Sequence, residues 1–256
     1  MKLTFLGTGT SQGIPLIQCP CEVCHSKDPR DKRLRTSVHL EDGDLSLVID
    51  IGPDFRLQML QNQIKKIDAI LITHAHADHT AGLDDIRPFN FIQKSTVPFY
   101  AEKLVIEDLI KRFEYIFKEN TYPGVPQITL HEITSGTNFQ IGNLSIFPFR
   151  VWHGNLGILG FKFNNLVYIT DAKRIDDEVL EQIKNCDTLI INALRFAEHK
   201  MHFNFQQALA IIEKINAKKT YLIHISHQLG LSGDILKILP PAVFLAYDGL
   251  QVNITS

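Results

Sequence analysis

The chain has no excess of charge of either sign: 26 Lys and Arg stand against 28 Asp and Glu in 256 residues, a net of −2. Without a basic field there is no strong signal for nucleic acid as the main partner, although a local basic patch stays open. No uninterrupted apolar stretch reaches the roughly 18 residues of a membrane span, so no membrane segment is expected. The start, Met1-Lys2-Leu3-Thr4-Phe5-Leu6-Gly7, breaks into glycines before a signal-peptide core can form. A cytoplasmic location is therefore the expectation. No composition shift marks a linker and no internal repeat is evident, which favours one domain over 1–256. With 45% hydrophobic and 21% charged residues, the chain can bury a sizeable core. Cysteine is scarce and uneven: Cys19, Cys21 and Cys24 crowd together while Cys186 stands alone. In a non-secreted chain that cluster reads as a metal site sooner than as a disulfide framework, and it needs a fourth ligand from elsewhere.

What the sequence does hold is concentrated in Thr73-His74-Ala75-His76-Ala77-Asp78-His79, at the end of the apolar run Ile67-Asp68-Ala69-Ile70-Leu71-Ile72. Imidazole and carboxylate both suit a borderline divalent metal. The run reads as a buried strand of a largely parallel sheet, and open α/β sheets place their sites at the carboxyl ends of such strands. His74 and His76, two apart in extended chain, point the same way. Asp78 and His79 fall where a helix is expected over 80–86, so they can face a second point. The spacing suggests two neighbouring metals.

Elsewhere the pattern is of strands that deliver polar groups. Lys2 to Leu6 alternates as a first strand with one face buried, and runs into Gly7-Thr8-Gly9-Thr10-Ser11-Gln12-Gly13-Ile14-Pro15. No Walker lysine follows, so this loop reads either as a lip approaching a site or as a simple turn. The polar segment at about 17–34 cannot build its own core, and a structural zinc is a common staple for such an insert. Strands over 36–40 and 45–50 form a hairpin through Asp42-Gly43, with His39 structural. Asp50 at the strand end is either an outer partner for a metal-bound imidazole or a helix cap. Arg87 reads as an ion-pair partner of Asp84 or Asp85. A helix over 102–118 is expected to turn Leu104, Ile106, Leu109, Ile110, Phe113 and Phe117 inward, followed by a loop at 122–126. Strands over 128–133, 144–151 and 158–163 give the second half its own sheet. His153, Asp171 and His224 each leave a strand end, while His199 and His202 precede a helix over 205–215.

The stretch at 74–79 matches at every position the His-x-His-x-Asp-His signature of the metallo-β-lactamase fold superfamily, which the chain resembles. That resemblance implies an α/β fold, a four-layer αββα sandwich of two mixed sheets flanked by helices. It also implies the ligand sets: His74, His76 and His153 on one ion, Asp78, His79 and His224 on the other, and Asp171 bridging. Two divalent cations so placed can hold a hydroxide and stabilise a leaving oxygen, which points to hydrolysis. Zinc or manganese, and also iron, accept these donors.

Finer features are similar to the phosphodiesterase branch that includes the cyclic ribosyl phosphodiesterase of the carbon-phosphorus lyase pathway. They are Gly7-Thr8-Gly9-Thr10-Ser11, the Cys-x-Cys-x-x-Cys, Gly82-Leu83-Asp84-Asp85-Ile86-Arg87-Pro88, the histidine before Phe203-Asn204-Phe205, and His224-Ile225-Ser226-His227. This similarity implies a structural zinc on Cys19, Cys21, Cys24 and His227. It also implies a general acid at His202, with His199 as the exchange candidate, acting beside Asp78 and Asp171. A small or cyclic phosphodiester is the expected substrate, and a homodimer stays open. The alternatives are a tRNA 3′-processing nuclease, for which no basic glycine-rich arm is visible, a lactone or thioester hydrolase, and a non-catalytic carrier of cofactor biosynthesis.

Overall fold

A computed structural model describes residues 1–118 and 124–254. Tyr122 and Pro123, part of the expected loop, lie outside the described residues. Two seven-stranded sheets face one another. The first holds β1 (Lys2–Gly7), β2 (Ser37–Asp42), β3 (Leu45–Ile49), β4 (Ala69–Leu71), β5 (Val97–Ala101) and β6 (Ile128–Glu132) in order. The second is built from β7 (Phe139–Ile141), β8 (Leu144–His153), β9 (Leu156–Phe163), β10 (Leu166–Tyr168), β11 (Thr188–Asn192), β12 (Lys219–Ile223) and β13 (Val243–Leu245). The last strand, β14 (Gln251–Asn253), returns to pair antiparallel with β1. Each sheet is mixed: β1 to β3 and β7 to β10 run antiparallel, while β3 to β6 and β10 to β13 run parallel.

Why the central strands are apolar without a break is clear from where alternate residues go. Leu47, Ile49, Ala69 and Leu71 meet Leu166, Tyr168, Ile190 and Ile223 between the sheets. Their neighbours Val48, Ile70 and Ile72 face outward onto Phe55, Leu83, Ile86 and Phe89. On the far side, Val167, Leu189, Ile191 and Leu222 are covered by helix residues Leu180, Phe205, Ala208 and Ile235. Strands buried on both faces must read as continuous hydrophobic runs. The layers are thus helix, sheet, sheet, helix, as expected.

Four local expectations need correction. β6 pairs parallel with β5 and closes the edge of the first sheet, so the second half's sheet begins at β7. β1 is buried on both faces from Leu3 onward, because Leu6 joins the outer core while Leu3 and Phe5 join the inner one. The helix after the metal motif starts earlier, at Ala77–Thr80, and breaks before a 3-10 turn at Leu83–Ile86. The 102–118 segment is two helices, Lys103–Arg112 and Glu114–Phe117, and its buried residues are Val105, Leu109 and Ile116. Leu104 is 76% exposed and Ile110 40% exposed, so neither points inward.

His39 is structural, as read: it is buried on β2, and Nε2 lies 2.7 Å from Ser46 Oγ, whose own proton goes to Lys66 O. Nδ1 has no hydrogen-bond partner. Burial pushes the imidazole from 6.5 down to about 4, with Glu41 only partly offsetting it. Because the folded value is the lower one, this stabilisation is present above pH 6.5 and is lost as pH falls towards 4, on the order of 3 kcal/mol. His39→Leu should therefore flatten the acid side of a urea-unfolding series compared with the parent. Superimposable pH slopes would refute this.

Candidate metal centre

The site forms where strand ends from both sheets meet. β3 ends in Asp50, β4 in the Thr73–His79 segment, β8 in His153, the chain after β10 in Asp171, and β12 in His224. Asp50, Asp171 and His224 each hold a left-handed backbone, with φ of +63°, +56° and +56°. Asp and His tolerate that region better than most residues, yet three at one place mark a constrained site. Two glycines let the backbones close up. A Cβ on Gly52 would stand 2.0 Å from Asp78 O, and one on Gly82 2.2 Å from Gly52 O. That contact seats the Ala77–Thr80 turn on the end of β3, through Ile51 N to His79 O at 2.8 Å.

Outer partners meet Nδ1 of four imidazoles. Thr73 Oγ1 donates to Asp50 Oδ2 at 2.8 Å, so it accepts from His74 Nδ1 at 2.9 Å. His79 Nδ1 donates to Asp50 Oδ2 at 2.7 Å, and His153 Nδ1 to Met201 O at 2.8 Å. Thr36 Oγ1 gives its proton to Gly9 O and lies 3.4 Å from His224 Nδ1. Each of these contacts is made through Nδ1 and leaves Nε2 free of them, the arrangement in which outer partners orient metal-binding histidines. Asp50 thus holds the His79 ring through its carboxylate.

Two of these Nε2 atoms face carboxylates. His79 Nε2 lies 3.2 Å from Asp78 Oδ2 and 3.1 Å from Asp171 Oδ2, and His224 Nε2 lies 2.9 Å from Asp171 Oδ1. His74 Nε2 is 3.0 Å from His76 Nδ1, and His76 is exposed. Buried His79 Nε2 makes no hydrogen bond. The donor atoms of His74, His76 and His153 lie within 4.8 Å of one another, as do those of His74, His79 and Asp171, and of His153, Asp171 and His202. Acceptors converging on acceptors need positive charge between them, and the donor set fits divalent metal ions. Without metal, protons take that part. Burial, the largest single influence, opposes charge on His79, but Asp50 and Asp171 outweigh it and raise His79 well above its ordinary value. Burial likewise works to raise Asp171, but His224 and His79 hold it well below the usual carboxylate range.

The candidate donors His74, His76, Asp78, His79, His153, Asp171 and His224 lie together, with His202 beside them. His202 Nδ1 is buried, without a hydrogen-bond partner, and 3.4 Å from Asp171 Oδ1. Its ring lies 4.6 Å from that of His153 and 4.8 Å from that of His224. Burial first, and His224 next, push His202 down to about 2, so it is neutral in the free protein. His199 stands one layer further out, its ring 4.9 Å from His202 and its Nδ1 accepting from Met201 N. Sequence reading missed Thr36, the Met201 carbonyl and Thr10, whose Oγ1 is 3.2 Å from His224 Nε2. Hydroxyls and carbonyls carry no spacing signal. The glycine-rich loop is nonetheless a lip at the site, since Thr10 N binds Ile225 O. Arg87 has the plain role expected of it, paired with Asp84.

A second cluster lies near His227, three residues after His224. The donor atoms of Cys19, Cys21, Cys24 and His227 are all within 4.8 Å of one another, and the cysteines are free. His227 Nδ1 is 3.4 Å from Cys19 Sγ and 3.2 Å from Cys21 Sγ. Burial tends to raise the Cys21 thiol, but His227 and Cys24 N bring it down to about 6, while burial pushes Cys24 up to about 11. Only Ile14, Val23 and Cys24 are buried apolar residues in this region's core.

A helix-flanked double sheet with histidines and carboxylates gathered at its strand ends is an arrangement suited to holding divalent metal ions. The sequence model for the beta-lactamase superfamily domain matches residues 46–225, and the chain belongs to that superfamily. More narrowly, it falls in the PhnP family: a crystal structure described as a new diphosphatase of that family is 39% identical, covers 99% of this chain and 98% of that one, and superposes with a TM-score of 0.93. An octanoyltransferase of Porphyromonas gingivalis is 41% identical over 99% of this chain but only 52% of that protein. The chain thus spans about half the length of that curated relative. Ribonuclease Z of Borrelia hermsii is 25% identical over 88% of this chain and 93% of its own length. Among the described residues no helix is long and apolar enough to cross a membrane.

Proposed function

We propose that the protein hydrolyses small or cyclic phosphodiesters at a dinuclear centre held by His74, His76 and His153 on one side and Asp78, His79 and His224 on the other, with Asp171 between. The observation that carries this reading is that His79 and His224 turn Nε2 towards Asp171, with Asp78 beside His79, while the donor atoms of His74, His76 and His153 cluster together and those of His74, His79 and Asp171 lie within 4.8 Å of one another. Zinc or manganese is the expected occupant, with iron also suited to the donors. A bound cation pair would supply activated water at neutral pH and offset charge on the departing oxygen.

The chain's own groups do the rest. Asp50 and Thr73 hold the His79 and His74 rings in one tautomer and orientation. Asp171 uses one oxygen towards His79 and the other towards His224 and His202. His202 is placed to hold a proton at the leaving oxygen, and an anionic substrate beside it offsets the burial that keeps the free imidazole neutral. The PhnP-family diphosphatase and the ribonuclease Z relatives, both phosphoryl-cleaving by name, support the substrate class. Protein loaded with Zn²⁺ or Mn²⁺ should turn over bis-p-nitrophenyl phosphate and 2′,3′-cyclic nucleotides. Fully loaded protein that hydrolyses neither rules the reading out.

A ribonuclease is the competing reading. The Borrelia alignment runs over 302 positions although this chain has 256 residues, so that protein carries segments without a counterpart here. Tight tRNA binding that weakens steeply with salt would favour the nuclease. The acyltransferase name of the Porphyromonas relative describes a protein about twice as long, and its activity is not carried over.

We also propose that Cys19, Cys21, Cys24 and His227 hold a structural zinc that staples the insert at about 17–34 to the single hydrolase domain. Ligands of a tetrahedral zinc with Zn–S near 2.3 Å stand about 3.8 Å apart, which this cluster approaches. Cys21→Ser with Cys24→Ser should remove one zinc per chain, of roughly three metal ions in all, and lower the melting temperature by about 5–10 °C. Metal analysis and calorimetry check this; an unchanged zinc content refutes it.

A further inference from the structure

Around the metal-ligand cluster most hydroxyl protons go to protein oxygens. Thr36 Oγ1 donates to Gly9 O at 2.8 Å, Thr73 Oγ1 to Asp50 Oδ2 at 2.8 Å and Thr170 Oγ1 to Asp171 Oδ2 at 2.7 Å. Thr10 differs. Its Oγ1 lies 3.2 Å from His224 Nε2 and, among the described residues, meets no other hydrogen-bond partner. Nε2 is the nitrogen by which His224 would hold an ion, so in the loaded protein this hydroxyl needs another acceptor. An imidazole holds zinc at about 2.0–2.1 Å, so a group 3.2 Å from Nε2 borders whatever that nitrogen binds.

The glycine-rich loop keeps Thr10 in place. Thr10 N donates to Ile225 O at 3.0 Å, Gly13 N to Thr10 O at 2.8 Å, and Ile225 N to Thr8 O at 2.9 Å. These bonds stitch the loop to the residue that follows His224. On its other side Gly9 lies against the chain before β2, where a Cβ would stand 2.9 Å from Arg33 O. Thr10 is half-buried, while Ser11 and Gln12, next along, are exposed. A hydroxyl fixed in this way is a donor that needs no rearrangement when a charged oxygen arrives.

We propose that Thr10 is a substrate-contacting residue, its hydroxyl donating a hydrogen bond to a phosphoryl oxygen of the diester. The inference rests on the phosphodiester reading and deepens it by naming a group on the chain that binds those oxygens. Asp78 and Asp171 repel an anionic substrate, and a fixed neutral donor beside them favours it. Cyclic diesters, open diesters and diphosphates all carry such oxygens. The contact therefore acts on the phosphoryl group itself and is indifferent to the leaving group, unlike the role given to His202.

Thr10→Val removes the hydroxyl and keeps the branched shape, Thr10→Ser keeps the hydroxyl, and Gln12→Ala at an exposed neighbour is the control. On metal-loaded protein, Thr10→Val should lower kcat/KM by about ten- to a hundredfold, the scale of one hydrogen bond to a charged oxygen. The loss should be the same on bis-p-nitrophenyl phosphate and on 2′,3′-cyclic nucleotides, and Thr10→Ser and Gln12→Ala should stay close to the parent. Binding of inorganic phosphate by calorimetry gives a readout independent of turnover. Thr10→Val should bind phosphate about tenfold more weakly while retaining the metal content of the parent. A Thr10→Val protein that binds phosphate as the parent does, a parent that takes up none, or a loss of metal accompanying the weaker binding overturns the contact. Absent turnover with phosphate binding that still depends on the hydroxyl retires the hydrolytic reading and keeps the contact.

Discussion

Asp171→Ala is expected to lower phosphodiester turnover by on the order of a thousandfold or more, the largest effect of any single substitution proposed for this protein. One carboxylate faces three imidazoles: His79 at 3.1 Å, His224 at 2.9 Å and His202 at 3.4 Å. Thr170 Oγ1 donates to the same group at 2.7 Å and fixes its orientation. Removing it takes a donor from between the two proposed metal positions and leaves His79 Nε2 with Asp78 as its remaining carboxylate neighbour. Metal titration should show weaker and less than full occupancy of the pair, with the cysteine cluster still loaded. Near-normal turnover together with two tightly held active-site ions would dismiss Asp171 as the shared group.

His202→Ala carries the second large effect, and its diagnostic value lies in which substrates suffer. A group that protonates the departing oxygen matters for a poor leaving group such as a ribose hydroxyl and little for nitrophenolate, which departs without a proton. The expected loss is about a hundredfold to a thousandfold on 2′,3′-cyclic nucleotides and within roughly tenfold on bis-p-nitrophenyl phosphate. Equal losses on both would reduce His202 to a packing element between His153 and His224. His199→Ala is the control: its ring sits behind His202 and its Nδ1 is engaged by the Met201 amide, so the same pair of substrates should be nearly unaffected.

The metal motif was legible because its donors are local in sequence, and a strand-turn-helix junction brings neighbours of that kind together whatever the rest of the chain does. Doubly buried strands were legible for a related reason, as Leu47-Val48-Ile49 and Ile70-Leu71-Ile72 have no polar alternation to confuse the reading. Pairing was not. Nothing in Ile128–Glu132 says that it will lie beside β5, because parallel partners are chosen by long-range packing and not by residue pattern. The periodicity of 102–118 also overstated its buried face. The helix stops at Arg112, Val105 and Leu109 supply its core contact, and Leu104 turns to solvent instead. Contacts that depend on a backbone carbonyl or a lone hydroxyl, such as Met201 on His153 and Thr36 on His224, leave no trace in spacing.

The left-handed backbone at Asp50, Asp171 and His224 limits how this enzyme can be improved. Each such residue costs the native state about 1 kcal/mol or more that glycine would recover. Glycine there would, however, delete a side chain that the centre depends on. Glycine would also leave buried donors such as Thr73 N and Thr170 Oγ1 without their acceptor, so selection for heat tolerance should find its gains at sites remote from the strand ends.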